Sequence, residues 1–179
     1  MTLINYIVFS LAIGIQTLVA MRNSAEAHPV ALTRGLIISL ILCSIYTIML
    51  AGGTFLGNLF HFDYPPADHA LFLGFFVLVI VKLLFSLRRT AVTGYDISPY
   101  SSAILAGIAL GINILLLGIG IGFEAPLGED VWKMLTPLVL LVLLMSMWGI
   151  MLGRKKIDIR PKRWLYISLL CLLVVALVG

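Results

Sequence analysis

Among the polar side chains that interrupt the apolar stretches of this chain, five are candidates for chemistry: Gln16, Ser44, Thr47, Lys82 and Asn113. The amides and hydroxyls offer both acceptors and donors, and the lysine adds a positive charge. Such groups can hold a small polar solute, can bind a metal ion weakly through neutral oxygens, or can bond one membrane helix to another. The sequence offers no nucleophile paired with a base and no phosphate-binding glycine loop, so we expect no enzyme.

The composition predicts an integral membrane protein. Of 179 residues, 61% are hydrophobic and only 11% are charged, against about 25% charged in a typical soluble domain. So few charges cannot cover a water-facing surface. A soluble enzyme, a nucleic-acid-binding domain and a disulfide-stapled secreted fold are therefore excluded. Cys43 and Cys171 both lie in apolar stretches, where we expect them to act as small hydrophobic residues.

Six apolar runs are close to the roughly 20 residues that a helix needs to cross a membrane. Each run is continuous, without the alternation of a membrane β-barrel. We therefore predict an all-α integral membrane fold with six transmembrane helices, at about 3–21, 35–60, 70–87, 101–123, 134–152 and 164–179.

The loops separate by charge and predict the orientation. Arginine and lysine concentrate in the connections between helices 1 and 2, 3 and 4, and 5 and 6, whereas the other two connections are mainly acidic. Cytoplasmic loops carry the excess of basic residues. We expect a multi-pass protein of the inner (plasma) membrane with both termini outside, surrounded by the lipid bilayer.

An internal repeat relates the two halves of the chain. The segment 11–20 resembles the segment 108–117, which aligns Gln16 with Asn113, and the segment 44–51 resembles 146–153. Helix 1 thus echoes helix 4, and helix 2 echoes helix 5. We predict two three-helix repeats, 1–95 and 96–179, which must be inverted because three is odd. Inverted repeats are typical of secondary transporters, whose substrate site lies near the midplane between the repeats.

These segments carry a family resemblance. The stretches 14–16 (Gly-Ile-Gln) and 111–113 (Gly-Ile-Asn), with 118–120, 31–36 and 151–154, resemble the MntP-type manganese exporters, within the wider LysE-like group of small six-helix transporters. Lys82 falls where that family tends to carry an arginine. The resemblance implies efflux of Mn²⁺, as a transported substrate rather than a cofactor, through a site between helices 1 and 4.

The chain departs from the family at the residues that matter most. The family's intramembrane carboxylates correspond here to Gln16, Asn113 and Ser44. Manganese prefers carboxylate oxygens, so Gln16 and Asn113 are weak candidate metal ligands, with Ser44 and Thr47 as neighbouring hydroxyls. Three hypotheses follow: a manganese exporter, a carrier of a neutral or zwitterionic solute on the same fold, or a non-transporting subunit that binds a partner membrane protein. The small bundle is also compatible with a homodimer.

Lys82 and the glycines each allow two interpretations. Lys82 lies six residues before Arg88, about 9 Å along a helix, so its amine can reach the membrane surface or serve as a functional cation inside the bundle. The glycines, such as Gly149 and Gly153, allow close helix packing. In the alternative, the glycines at 118–122 loosen helix 4 for conformational change.

Overall fold

The protein is all-helical. The computed structural model describes residues 2–60, 64–88, 94–124 and 130–178, which contain six α-helices and no strand. Each helix is long and apolar enough to cross a membrane, which confirms the prediction of six membrane-spanning helices. The helices are α1 (Leu3–Ala27), α2 (Leu32–Leu59), α3 (Pro65–Arg88), α4 (Tyr100–Glu124), α5 (Asp130–Arg154) and α6 (Pro161–Val178).

Several helices run beyond the apolar stretches that predicted them. The prediction ended helix 1 at residue 21, but α1 continues to Ala27. The prediction ended the helix at the first charged residue, which marks the edge of the hydrocarbon region. A charged side chain does not interrupt the backbone hydrogen bonds, so the helix continues past it. Arg22 lies inside this extra turn and forms an ion pair of 2.7 Å with Glu26, four residues on. Likewise α3 begins at Pro65 rather than at residue 70, since proline is tolerated in the first turn.

Two helix pairs come so close that only glycine fits between them. A Cβ atom on Gly149 of α5 would lie 2.5 Å from the carbonyl oxygen of Leu18 in α1. A Cβ atom on Gly53 of α2 would collide with the carbonyl oxygen of Leu115 in α4. Membrane helices associate through such close packing of small residues. The packing interpretation is therefore confirmed for Gly53 and Gly149. α4 is a continuous helix through its own glycines.

Contacts along these pairs give the helix directions. Gly14 faces Met145 and Gly149 faces Leu18, so α1 and α5 are parallel. In α2 and α4, residue numbers also rise together, from the contact of Ile45 with Gly107 to that of Thr54 with Gly122. The two pairs are antiparallel to each other. Gly35 of α2 meets Ile150 of α5, and further along α2 Cys43 donates to the carbonyl of Val139. Residue numbers in α5 therefore fall as those in α2 rise.

The remaining helices pack on the outside of this four-helix core. α6 packs on α1, α3 packs on α4, and α3 and α6 also touch each other. Thus α1, α3 and α5 run one way and α2, α4 and α6 the other. We call the end where α1, α3 and α5 finish the basic end, since it carries Arg22, Arg88 and Arg154. The other is called the opposite end.

α1 is the central helix of the protein. Of its most apolar 18 residues, 67% are buried inside the protein, against 33–44% for every other helix. Its main neighbours, α5 and α6, belong to the other predicted repeat. The two predicted halves of the chain are thus interleaved, and α1 is placed to hold side chains in the interior.

Candidate functional site

Gln16 lies near the middle of α1 and is bonded to α6. Its Nε2 donates to Oγ of Ser168 at 3.0 Å. Ser168 is fully buried and in turn donates to the carbonyl oxygen of Ala12 at 2.9 Å. Because the Ser168 hydroxyl uses its proton on the Ala12 carbonyl, it must accept from Gln16, so the amide nitrogen of Gln16 faces Ser168. Oε1 of Gln16 makes no hydrogen bond within the described part of the chain, so it remains available as an acceptor.

Asn113 lies at the corresponding place in α4 and is bonded to α3. Its Oδ1 accepts a hydrogen bond of 2.6 Å from the Lys82 amine. A lysine amine at neutral pH has donors and a positive charge but no acceptor. The Lys82 amine is thus held by a polar partner within the span, but on the surface of the bundle rather than inside it, and the role of Lys82 stays a prediction. Asn113 is half-buried and the Lys82 side chain is exposed on the surface of the bundle.

The structure does not add Ser44 and Thr47 to either pair. Ser44 is exposed, and its hydroxyl donates to the carbonyl of Leu40 at 3.0 Å. Thr47 donates to the carbonyl of Cys43 at 2.8 Å. Serine and threonine in helices commonly bond back to the preceding turn in this way. Of the five polar residues singled out above, only Lys82 and Asn113 are bonded to each other.

The structure does not bring the two candidate metal ligands to one helix contact. No group of three or more His, Cys, Asp or Glu side chains lies together in them. The two candidate ligands, Gln16 and Asn113, belong to different helix contacts, α1 with α6 and α4 with α3. The carbonyl oxygen of Asn113 accepts a hydrogen bond from the positively charged Lys82 amine.

Two polar features of the interior were not predicted. Ser168 was overlooked because the sequence does not show whether a single serine in an apolar run faces the interior of the protein or the lipid. The other is the buried pair Thr17 and Tyr46, in which the threonine hydroxyl lies 3.3 Å from the tyrosine hydroxyl. Tyr46 of α2 is only 2% exposed. This pair joins α1 to α2 one residue beyond Gln16.

A cleft of about 440 Å³ opens at the basic end, and its lining includes Arg22, Asn23, Glu26, Gly94, Pro161 and Lys162. Arg22 is 7% exposed. Besides its ion pair with Glu26, its Nε donates to the carbonyl of Ile157 at 3.2 Å and its Nη1 to Oδ1 of Asn23 at 3.0 Å. The cleft thus lies between the ends of α1 and α6, with a fixed polar wall.

The segment 94–99 closes over the end of α1 beside this cleft. The backbone N–H of Tyr95 donates to Oγ of Ser24 at 2.9 Å. Further along, the backbone N–H of Ser98 donates to Asp96 and holds the pKa of that carboxyl below its usual value. His28 lies 3.7 Å from the same carboxylate. The connection between α3 and α4 is therefore anchored to α1 at Ser24, and the connection between α5 and α6 is anchored to α1 at Arg22.

Comparisons with protein-family models, with curated proteins and with solved structures gave no match to this chain.

Proposed function

We propose that the chain is a small secondary transporter, built from two inverted three-helix repeats, whose cargo is a small neutral or zwitterionic solute. One observation carries this proposal. Gln16 and Asn113 lie at matching positions of α1 and α4, and each is hydrogen-bonded to the last helix of the opposite repeat. Polar groups at mid-span are costly in lipid and mark substrate pathways in membrane proteins.

The set of packed helices supports the repeat. Exchanging α1 with α4, α2 with α5 and α3 with α6 turns the contact of α1 with α5 into that of α4 with α2, and the contact of α1 with α6 into that of α4 with α3. The remaining contacts, α2 with α5 and α3 with α6, are unchanged by the exchange. A fold of unrelated halves has no reason to keep every packed pair under this exchange.

Residue-level contacts support the same relationship. Gly53 approaches Leu115 just as Gly149 approaches Leu18. The glycines are 96 residues apart and the leucines 97, the same separation as Gln16 and Asn113. Since α1 and α4 run in opposite directions, the relationship is an inversion across the membrane, the arrangement typical of secondary transporters.

The chemistry of the two pairs favours a cargo other than a divalent cation. Lys82 brings a positive charge to Asn113 and donates to its carbonyl oxygen, so this pair presents a cation and mainly hydrogen-bond donors. At the other pair, Oε1 of Gln16 is an acceptor. A cation with donors at one pair and an acceptor at the other suit a neutral or zwitterionic solute, whereas Mn²⁺ needs several oxygens and compensating negative charge.

Ligand-dependent thermal stability of the purified protein in detergent tests this cargo class. The probes are the twenty amino acids, as representative zwitterions, and Mn²⁺, the cargo that the family resemblance implies. We expect at least one amino acid to raise the unfolding temperature, the rise to disappear in Asn113→Ala, and Mn²⁺ to have no effect. Stabilisation by Mn²⁺ alone would favour the manganese exporter, and no stabilisation by any amino acid would contradict the proposal.

The proposal includes an orientation. With the basic end in the cytoplasm, both termini lie outside and the cleft beside Arg22 opens inward. After Cys43 and Cys171 are replaced by alanine, a cysteine at Lys155 should react with an impermeant maleimide only in inside-out vesicles, and a cysteine at Tyr64 only in whole cells. The reverse pattern would overturn the orientation.

A further inference from the structure

Lys82 is a cation on the outer surface of the helix bundle, within the part of α3 that can cross a membrane. In the described part of the chain, its amine has one hydrogen-bond partner, Oδ1 of Asn113. Charged side chains within a span normally face the bundle interior or a water-filled cavity, because lipid solvates them poorly. The surface around Lys82 is therefore costly to leave against lipid.

The amine lies at mid-depth in the membrane. Gly120 of α4 meets Phe75 of α3, with 3.2 Å between a Cβ atom built on the glycine and that of the phenylalanine. Because α3 and α4 are antiparallel, a step of seven residues toward the basic end, about two turns, leads from this contact to Asn113 and Lys82. These two residues are therefore level with each other, near the middle of α4.

The lysine stem is poorly placed to bring its charge to either membrane surface. Helical side chains lean toward the N-terminus of their own helix, and α3 begins at the opposite end, so Lys82 leans away from the nearer, basic end. Pro65, where α3 begins, lies 17 residues before Lys82, about 26 Å along the helix at 1.5 Å per residue. The charge thus stays at the level of Asn113, which holds the amine at 2.6 Å.

The surface around this charge is apolar. We call it the lysine face, and it consists of Leu78, Lys82 and Phe85 of α3 with Ala109 and Asn113 of α4. Leu78 is 50% exposed and Phe85 is 62% exposed, and Ala109 is exposed as well. The small side chain of Ala109 allows another helix to approach closely. Apolar side chains around one cation suit a membrane helix that carries one anionic group.

The sequence itself places no such anion at this depth. None of its eight Asp and Glu residues falls in the middle of an apolar run. A second copy of the chain would therefore bring no carboxylate to Lys82. A lipid phosphate lies in the headgroup region, outside the hydrocarbon that surrounds the amine. Charge complementarity thus favours a helix from a different membrane protein, with a carboxylate at mid-span.

We propose that the lysine face binds one membrane helix of another protein, and that an Asp or Glu near the middle of that helix pairs with Lys82. A lysine amine has three N–H donors, so a carboxylate can accept one while the bond to Asn113 remains. Opposite charges attract strongly where water is excluded. The inference concerns the outer surface of the bundle, so it goes beyond the proposed cargo and does not depend on it.

Model membrane helices test the inference. The probes are synthetic transmembrane peptides of leucine and alanine with one Asp or one Asn at the centre, and their association with the purified chain is measured by energy transfer in phosphatidylcholine vesicles. We expect the Asp peptide to bind at least ten times more tightly than the Asn peptide. The preference should disappear in Lys82→Met and remain in Lys156→Met, which removes an exposed lysine outside the helices. Equal binding of the two peptides, or a preference that survives Lys82→Met, would overturn the inference.

A second variant blocks the lysine face without removing its charge. Ala109→Trp places a large ring beside Asn113 and should weaken binding of the Asp peptide at least ten-fold. Leu144→Trp is the matched control, since Leu144 is 56% exposed and belongs to α5, which packs on α1 and α2. Unfolding temperatures near that of the native chain show that both variants are folded. Equally tight binding by the two variants would contradict the location of the site.

Photocrosslinking in cells that naturally make the protein identifies the occupant. With a photoreactive residue in place of Leu78, we expect an adduct with a different membrane protein that has Asp or Glu at mid-span, and loss of this adduct in Lys82→Met. An adduct with a second copy of the chain, or with lipid alone, would overturn the inference. Amino-acid uptake without preference for the Asp peptide would overturn this inference alone, and the preference without any uptake would count against the proposed function alone.

Discussion

Gln16 and Asn113 are equivalent in position but opposite in the hydrogen bonds that they make. The Gln16 amide donates to the Ser168 hydroxyl, whereas the Asn113 carbonyl accepts from the Lys82 amine. Among the described residues, the Gln16 site therefore keeps an amide oxygen without a hydrogen bond, whereas the Asn113 site presents a cation and mainly donors. A pathway that passed both would meet complementary groups in turn, and its chemistry would differ from that of a site with two carboxylates.

Lys82 gives the first prediction. Lys82→Met removes the intramembrane charge and should lower amino-acid uptake at least ten-fold while the protein still purifies as a folded species, because Asn113 loses its cationic partner. The control is Lys156→Met, which removes a charge from an exposed lysine outside the helices. Unchanged uptake in Lys82→Met would mean that the lysine only reaches for the membrane surface.

The bond between Gln16 and Ser168 should be measurable as a coupling energy. Single and double alanine variants form a double-mutant cycle, read from unfolding free energies in detergent. Interhelical hydrogen bonds in membrane proteins average about 0.6 kcal/mol, with a maximum near 1.7 kcal/mol, and we expect a value in this range. Coupling indistinguishable from zero would contradict a bond that holds α6 to α1.

Gly53 should not tolerate a methyl group, whereas its neighbour should. A Cβ atom at Gly53 would collide with the α4 backbone, and one at Gly52 would meet nothing within 4 Å. We expect Gly53→Ala to destabilise the protein by about 1–3 kcal/mol, as overpacking does. Gly52→Ala should be neutral or stabilising, since alanine is the better helix former. Equal effects on the unfolding free energy would contradict the close packing of α2 on α4.

The Asp96 turn predicts a dependence on acid. The pKa of Asp96 is lowered, first by the backbone N–H of Ser98 and also by the charge of nearby His28. The stabilisation of the folded protein by ionised Asp96 is therefore present above the ordinary carboxyl pKa of about 3.9. It is lost as the pH falls through the lower pKa that Asp96 has in the folded protein. The free energy of unfolding of Asp96→Asn should depend less on pH below about 4 than that of the native chain. Identical curves of unfolding free energy against pH for the two proteins would contradict this contribution of Asp96.

The six apolar helices could be predicted because they depend on long apolar runs in the sequence. The repeat of helices 1 and 4 stays a prediction, with a separation of 97 residues between Gln16 and Asn113. The second echo has a different register. It paired Ser44 with Ser146, 102 residues apart, yet Ser44 is exposed and Ser146 is fully buried. The closely packed glycines at 53 and 149 are 96 residues apart, which is nearer to the separation of Gln16 and Asn113.

The candidate site was predictable only in part. Gln16, Asn113 and Lys82 stand out because amides and charges are rare in membrane helices. The partner of Gln16 was not predictable, because α6 meets α1 only through the long-range packing of the two halves. Ser44 and Thr47 were singled out by type, but a hydroxyl that bonds its own helix gives the same sequence as one that faces a site.

Flux through reconstituted protein tests the central claim most directly. Proteoliposomes are loaded with amino acids or with Mn²⁺, and exchange is compared between the native chain and the double variant Gln16→Asp and Asn113→Asp. We predict that the native chain exchanges at least one amino acid and carries no Mn²⁺. Mn²⁺ flux through the native chain, or no amino-acid exchange at all, would contradict a carrier of neutral or zwitterionic solutes.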